Sequence, residues 1–239
     1  MKATEFEFRN RFWLFGVIFW GGFWFYAFDH FNIVQYLIAR TIGENSPHAD
    51  TVTRAVFLFA ALLALLTACL RTWATAYLRS DVMQDHDLRA EKVVAEGPYR
   101  HVRNPLYLGN ILLSVGIGLL ASRIGFLWIA VGTWIFDLRL IGLEEANLNR
   151  EQGESYREYC QRVPRLWPSL RPRLPDSGLQ PRWKQAFFGE LYMWGFFAAV
   201  LAFAITLNVK AMWITMGVSV AIYIASSYLI RWRKKSETI

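Results

Sequence analysis

Residues 97–109 read Gly-Pro-Tyr-Arg-His-Val-Arg-Asn-Pro-Leu-Tyr-Leu-Gly, and they run directly into an uncharged apolar stretch that reaches Ser122. The paired acids Glu144 and Glu145 end the next apolar stretch. Polar and ionisable residues at the ends of two consecutive apolar segments are typical of a functional site at the membrane surface. The pattern indicates a hairpin of membrane helices that binds a charged, water-soluble molecule where the chain meets lipid.

The composition places the chain among membrane proteins. Hydrophobic residues make up 54% of its 239 residues, with 11 Trp and 18 Phe, which is more aromatic surface than a soluble protein of this length normally carries. A helix needs about 20 apolar residues, and at least about 17, to cross a bilayer. We therefore predict an all-α, multi-pass protein with about six transmembrane helices. The six uncharged runs are 12–28, 55–70, 104–122, 124–136, 191–209 and 211–230.

Two of these runs must be extended to span. Residues 55–70 continue past Arg71 to Tyr77, because an Arg near a helix end can reach the interface. Residues 124–136 continue through Asp137 and Arg139 to Leu143. Ionisable residues inside a membrane segment are candidates for function by default.

The basic residues predict the orientation. Of the 26 Lys and Arg residues, six spans leave only four on one side of the membrane, namely Arg40, Arg54, Arg123 and Lys210. The positive-inside tendency therefore places both termini and both polar clusters in the cytoplasm. The net charge of +7 is then explained by topology and by anionic lipid headgroups rather than by nucleic acid, because the basic residues are dispersed among the spans.

We predict three regions along the chain: N-terminal membrane helices over 1–78, a core over 79–170, and over 171–239 a linker followed by two additional helices. A helix is expected to begin at Pro105, and another to continue from the fourth span through Tyr159. Cys69 and Cys160 lie at different depths in a reducing setting, so no disulfide is expected. No Cys or His spacing suggests a metal site.

Several motifs in a fixed order resemble a known superfamily. They are the Gly97–Gly109 stretch, the Glu144–Glu145 pair, the run Gly-Glu-Ser-Tyr-Arg-Glu-Tyr at 153–159, and Val-Pro-Arg at 163–165. This arrangement, over roughly residues 80–168, is similar to the isoprenylcysteine carboxyl methyltransferases and phospholipid methyltransferases. The pattern is specific for the superfamily and does not select one substrate.

The resemblance implies S-adenosylmethionine as the cofactor, bound on the cytoplasmic side without a Rossmann fold. In the matching positions, Glu144 takes the methionine ammonium and Asn104 belongs to the signature that closes around the cofactor. The positions that the resemblance assigns to the cofactor are Gln84, Glu91, Lys92, Val93, Val94, Tyr99, Asn104, Pro105, Leu106, Tyr107 and Glu144.

Part of this follows from the chemistry of the ligand alone. S-adenosylmethionine carries an ammonium, a carboxylate and a purine, which need an acid, a cation or N–H donors, and a flat wall. The two short clusters supply those residue types. The candidates are Glu144 or Glu145 for the ammonium, Arg100 or Arg103 for the carboxylate, and Tyr99 or Tyr107 for the purine.

Three residues are candidates for the transfer step. The superfamily commonly has histidine where this chain has Asn104, which can form hydrogen bonds but cannot titrate near neutral pH. Arg139 is the nearest match to the arginine that holds the substrate carboxylate in prenylcysteine enzymes. Arg165 is expected to contact cofactor, substrate or lipid phosphate. A neutral amine or alcohol acceptor would need a base, for which His101 and Asp137 are the candidates.

The sequence leaves the acceptor open among a prenylcysteine-like carboxylate, a lipid amine and a thiol, each drawn from the bilayer. It gives no oligomeric state. Two other function classes stay open as well. One is a membrane reductase related to sterol reductases, which would bind a nicotinamide cofactor in a similar pocket. The other is a non-enzymatic scaffold or transporter, although neither repeat symmetry nor broken helices are visible.

Overall fold

A computed structural model describes residues 1–78 and 95–236, with side chains up to Tyr228. Within these ranges the chain is helical, with ten α-helices, two short 3-10 helices at Phe25–Ala27 and Gly97–Arg100, and one isolated β-bridge between Asn32 and Ser122. The α-helices are α1 (Glu5–Arg9), α2 (Arg11–Trp24), α3 (Ile33–Thr41), α4 (Ala49–Tyr77), α5 (Pro105–Gly118), α6 (Arg123–Gln152), α7 (Glu154–Arg162), α8 (Trp183–Gly189), α9 (Leu191–Thr206) and α10 (Val209–Ser236).

Each of the six apolar runs forms a helix, but the helices differ in length. Three are long and apolar enough to cross a membrane: α4, α6 and the Val209–Tyr228 part of α10. A fourth span results if α8 and α9, which are bent by 59° at their junction, count as one. Helices α2 and α5 have 14 residues each, below the usual spanning length. The chain is therefore an all-helical membrane protein, while the number six and the sidedness of the termini stay predictions.

The local sequence rules place most helix ends. Helix α5 begins at Pro105, as expected for a proline in the first turn, and the side chain of Ser122 caps α6 by accepting a hydrogen bond from the Gly125 amide. The prediction of one helix continuing to Tyr159 is wrong. Gly153 has a φ of +57° and separates α6 from α7, because such a backbone conformation cannot continue a helix.

Helix α4 is the central element of the packing. Its small residues form a core face against α5 and α9, and Leu113 from α5 and Val200 from α9 are buried there. Helix α10 packs mainly on α9. The first of the two helices predicted as a C-terminal addition, α9, thus shares a core with the segment that carries the polar motifs. The α4 residues of this core are Ala60, Ala61, Ala64 and Ala68.

Glycine permits the closest contact between α4 and α5. A Cβ atom added at Gly116 would lie 2.9 Å from the backbone oxygen of Ala60, and backbone cannot move aside as a flexible side chain would. Small residues allow this kind of close helix approach in membranes. The glycine pair at positions 116 and 118 is thus explained by packing.

A matched pair of alanine substitutions tests this packing. Gly116→Ala should destabilise the protein by about 1–3 kcal/mol through overpacking. Gly217→Ala, where a new Cβ meets nothing within 4 Å, should leave the stability unchanged or raise it by up to about 1 kcal/mol. Unfolding of both variants in mixed detergent micelles measures the difference, and equal stabilities would contradict the close contact.

Candidate functional site

The two polar clusters meet at the start of α5. Asn104 is buried and precedes Pro105, where its side chain donates to Glu145 Oε1 at 3.2 Å and to the backbone oxygen of Arg165 at 3.1 Å. Glu145 lies near the end of the long helix α6. One amide therefore joins the first turn of α5, the end of α6 and the segment after α7.

Glu145 is held by two arginines. Arg103 Nη1 lies 3.4 Å from Glu145 Oε1, and Arg165 Nε lies 3.0 Å from Glu145 Oε2. Each guanidinium group has an N–H group that forms no hydrogen bond. Arg103 Nε is buried without an acceptor, and Arg165 Nε is near its carboxylate but not aligned for a hydrogen bond. Two N–H groups beside the cluster are thus left to receive a further acceptor atom.

Glu144 has a different environment from its neighbour. The hydroxyl of Tyr107, on α5, faces the Glu144 carboxylate, and the charge of Arg11 also acts on it. Among the described residues no Lys or Arg forms an ion pair with Glu144. Of the two acids, Glu144 is the one whose carboxylate remains able to take a cation.

Tyr99 lies on the 3-10 turn before the motif. Gly97 starts this turn with a φ of +55°, and a Cβ there would meet the Tyr77 ring at 2.4 Å, so only glycine fits. The Tyr159 hydroxyl on α7 donates to the Tyr99 backbone oxygen at 2.8 Å. Burial raises the pKa of the Tyr99 hydroxyl, which therefore stays protonated and able to donate a hydrogen bond.

The segment after α7 folds back along the motif as a strap, defined here as residues 164–177. Arg103 N donates to Pro164 O at 2.9 Å, Ser169 N to His101 O at 2.9 Å, and Arg173 N to Arg100 O at 2.9 Å. The ring of His101 also contacts the Ser169 oxygen through Nδ1 at 2.7 Å. The strap thus fixes the backbone of the residues between the 3-10 turn and α5.

Arg139 lies apart from this cluster. Its guanidinium pairs with Glu7 at 2.7 Å, and its backbone oxygen accepts from Ala3 N at 2.8 Å. Glu144 lies five positions after Arg139, which turns the two side chains to different faces of α6. The structure brings Asn104 and Arg165 to the cluster and leaves Arg139 outside it, so its predicted role with a substrate carboxylate stays a prediction.

The pairing of Glu7 with Arg139 anchors the N-terminal segment. The hydrogen bond from Arg139, together with the Thr4 amide, lowers the pKa of Glu7 to about 2. A depressed pKa means that this stabilisation is present above the ordinary value near 4.5 and is lost as the pH falls through about 2. At neutral pH the anchor is therefore complete.

Neutralising Glu7 should release this anchor. We expect Glu7→Gln to speed amide hydrogen exchange in residues 3–10 about fivefold, because a charge-assisted bond of at least about 1 kcal/mol is lost. Glu5→Gln on the same helix is the control, since Glu5 forms no ion pair among the described residues. Equal exchange in both variants would show that the ion pair does not hold the segment.

Sequence reasoning missed a second polar group deeper in the helices. Arg71 on α4 pairs with Glu190 at 2.8 Å and donates to Asn110 Oδ1 at 2.8 Å and to the Tyr192 hydroxyl at 2.8 Å. Arg71 had been interpreted as an interfacial residue. The available clue was Glu190, an acid directly before an apolar run. An acid at such a position needs a charged partner, and the sequence analysis had assigned it none.

Five of the predicted cofactor residues lie outside the described part of the chain. They are Gln84, Glu91, Lys92, Val93 and Val94. Among the described ones, Asn104 contacts Glu145 and Tyr107 contacts Glu144. Pro105 and Tyr107 are buried, and the Leu106 backbone oxygen accepts from Arg71 at 3.4 Å.

Part of the chain is similar to known methyltransferases. Residues 55–154 match the phospholipid methyltransferase family, over the same helices that carry the two polar clusters. A stretch of 74 residues is 40% identical to protein-S-isoprenylcysteine O-methyltransferase B of Arabidopsis thaliana. The superfamily predicted from the sequence is confirmed for this part of the chain.

A second similar protein is named for metal resistance rather than for methyl transfer. Over 139 residues, 58% of this chain, the sequence is 24% identical to the nickel-cobalt-cadmium resistance protein NccN of Alcaligenes xylosoxydans xylosoxydans. The matches cover 38% of the plant protein, from 30% of this chain, and 62% of NccN. No solved structure matches the chain. Within residues 1–78 and 95–236 no group of three or more His, Cys, Asp or Glu side chains is arranged to hold a metal ion.

Proposed function

We propose that the chain is a membrane methyltransferase that uses S-adenosylmethionine and methylates a lipophilic acceptor drawn from the bilayer. The observation that carries the proposal is the junction of the α5 start with the α6 acids through Asn104 and Glu145. Membership of the superfamily over residues 55–154 supports the reaction class.

The residues present fit the cofactor. Glu144, which has no ion-pair partner among the described residues, is the acid for the methionine ammonium. The unused N–H groups of Arg103 and Arg165 suit its carboxylate. Tyr99, held by the 3-10 turn and α7, stands ready to flank the purine. The chain thus supplies the acid, the donors and the aromatic wall that the ligand requires.

The protein's part in the reaction is alignment. The bound cofactor supplies a methyl group already activated by a positive sulfur. The chain has to hold a nucleophile in line with that methyl at about 3–3.5 Å and keep water away. The strap and α7 contribute by fixing the backbone that precedes Asn104, whose amide serves to position groups rather than to carry a proton.

The decisive experiment incubates membranes containing the protein with methyl-labelled S-adenosylmethionine and separates lipids from small molecules. We expect one lipophilic fraction to be labelled above membranes that lack the protein. A parallel thermal-stability measurement with S-adenosylmethionine and with a nicotinamide cofactor tests the reductase alternative. Stabilisation by the nicotinamide alone, or the absence of label in every fraction, would overturn the proposal.

A further inference from the structure

The strap has one face on the protein and one face uncovered. Leu166 lies in the same core cluster as Tyr107, and Leu174 packs against the tyrosines of α7. Between them, Trp167 and Leu170 turn outward and are 75% and 99% exposed. Exposed apolar residues are common singly, so these two do not identify a partner without a second property of the surface.

The second property is positive charge without a counter-charge. Residues 162–184 contain six basic residues and one acid, Asp176, which already has an arginine partner. Arg171 and Arg173 are exposed, and neither forms an ion pair among the described residues. Arg171 directly follows Leu170, so the apolar side chains and these two cations share one short surface. The six basic residues are Arg162, Arg165, Arg171, Arg173, Arg182 and Lys184.

Backbone bonds tie this segment to the ends of membrane helices. The Ser169 amide donates to His101 O at 2.9 Å, shortly before the apolar helix α5 begins at Pro105. Further along, the Arg182 amide donates to Ala76 O at 2.9 Å, in the last turn of the spanning helix α4. The strap therefore runs at the level where the helices leave the apolar layer. Lipid headgroups lie at that level, and tryptophan is enriched there in membrane proteins.

We infer that the outer surface of the strap, defined as Trp167, Leu170, Arg171 and Arg173, docks on a bilayer surface that presents anionic phospholipid headgroups. Trp167 and Leu170 insert at the interface, and the two guanidinium groups bind lipid phosphates, for which their fork of N–H donors is suited. Basic residues next to a membrane are attracted to anionic lipid. An acidic soluble protein would match the charges, but the level of the strap at the ends of α4 and α5 favours lipid.

Docking acts on the candidate site through the inner face of the strap. The backbone bonds of the strap hold residues 100–103, directly before Asn104, with N···O distances of 2.9 Å. A bilayer that holds the outer surface therefore makes opening of the strap less frequent and keeps Asn104 against Glu145. The charge of the surrounding lipid thus controls how well ordered the site is.

Amide hydrogen exchange of the full chain in vesicles tests the docking without any reaction. Vesicles of phosphatidylcholine alone are compared with an equimolar mixture of phosphatidylcholine and phosphatidylglycerol. We expect residues 164–177 to exchange about fivefold more slowly in the anionic vesicles. Salt at about 0.5 M should reduce this difference to less than about twofold, because it screens the headgroup charge.

Arg171→Gln combined with Arg173→Gln should abolish the effect of the anionic lipid. The control is Arg150→Gln combined with Arg157→Gln, which removes the same charge from exposed positions on α6 and α7 and should leave the effect intact. Leu170→Asn, which removes an apolar contact but no charge, should reduce the difference to about twofold. Equal exchange in both vesicles, or equal losses in the two double variants, would overturn the inference. Slowing by inorganic phosphate in neutral vesicles would also overturn it, because the ligand would then be a free anion.

A second measurement connects docking to the site and rests on the function proposed above. We expect S-adenosylmethionine to bind about threefold more tightly in the anionic vesicles, because less ordering is left to be done on binding. The double variant of the strap should bind it equally in both vesicles. Equal wild-type affinity in both would refute the effect of docking on the site. Absence of S-adenosylmethionine binding in either lipid would instead refute the proposed function, while the exchange measurement would still decide the docking.

Discussion

Replacing Glu144 with glutamine should weaken S-adenosylmethionine binding about 30- to 100-fold. In the wild type a carboxylate faces Tyr107 and forms no ion pair among the described residues, so that a cofactor ammonium would be its charged partner. A hydrogen bond to a charged group is worth about 1.5–3 kcal/mol, and each 1.4 kcal/mol is tenfold in affinity. Glutamine keeps the size and polarity of the side chain and removes only the charge.

Equilibrium binding of labelled S-adenosylmethionine to purified protein measures this effect. Glu154→Gln is the control, since Glu154 is exposed on α7 and pairs with Arg157, and it should change the dissociation constant less than about twofold. Equal affinity of wild type and Glu144→Gln would remove Glu144 from the cofactor site. Equal loss in both variants would point to a general effect of surface charge.

The sequence contained most of the local structure and the meeting of the two polar clusters. Uncharged runs predicted where helices form, since a membrane helix must satisfy its own backbone and cover itself with apolar side chains. Proline at position 105 predicted the start of α5, and the two polar clusters at neighbouring helix ends predicted that Asn104 and Glu145 would lie close together. These inferences depend on local composition and on the return of a hairpin, and both are visible along the chain.

Ion pairs between residues that are distant in the sequence could not be predicted. Nothing in the sequence indicates that Arg139 pairs with Glu7 rather than with a substrate, because that contact depends on where the first helix docks on α6. The helix from the fourth span was predicted too long for a different reason. A glycine inside a polar helical pattern is often tolerated, and only its positive φ, visible in the structure, shows that Gly153 ends α6.

Removing Glu190 should produce the largest loss of stability among these changes. Arg71 and Glu190 are 2.8 Å apart with side chains 13% and 8% exposed, and Thr75 adds a hydrogen bond to the carboxylate at 2.9 Å. Deleting one member leaves a buried charge unpaired, which costs about 3–5 kcal/mol. We expect Glu190→Ala to lower the free energy of unfolding by that amount in mixed detergent micelles.

Two further variants separate charge burial from packing. Glu154→Ala breaks the exposed pair with Arg157, whose side chains are 69% and 60% exposed, and should cost less than about 1 kcal/mol. Arg71→Met combined with Glu190→Leu should recover much of the loss, because a buried ion pair can be replaced by apolar side chains of similar size. A double variant as unstable as Glu190→Ala would show instead that Arg71 is needed for its bonds to Asn110 and Tyr192. The polar group around Arg71 would then be required for the joint packing of α4, α5 and α9.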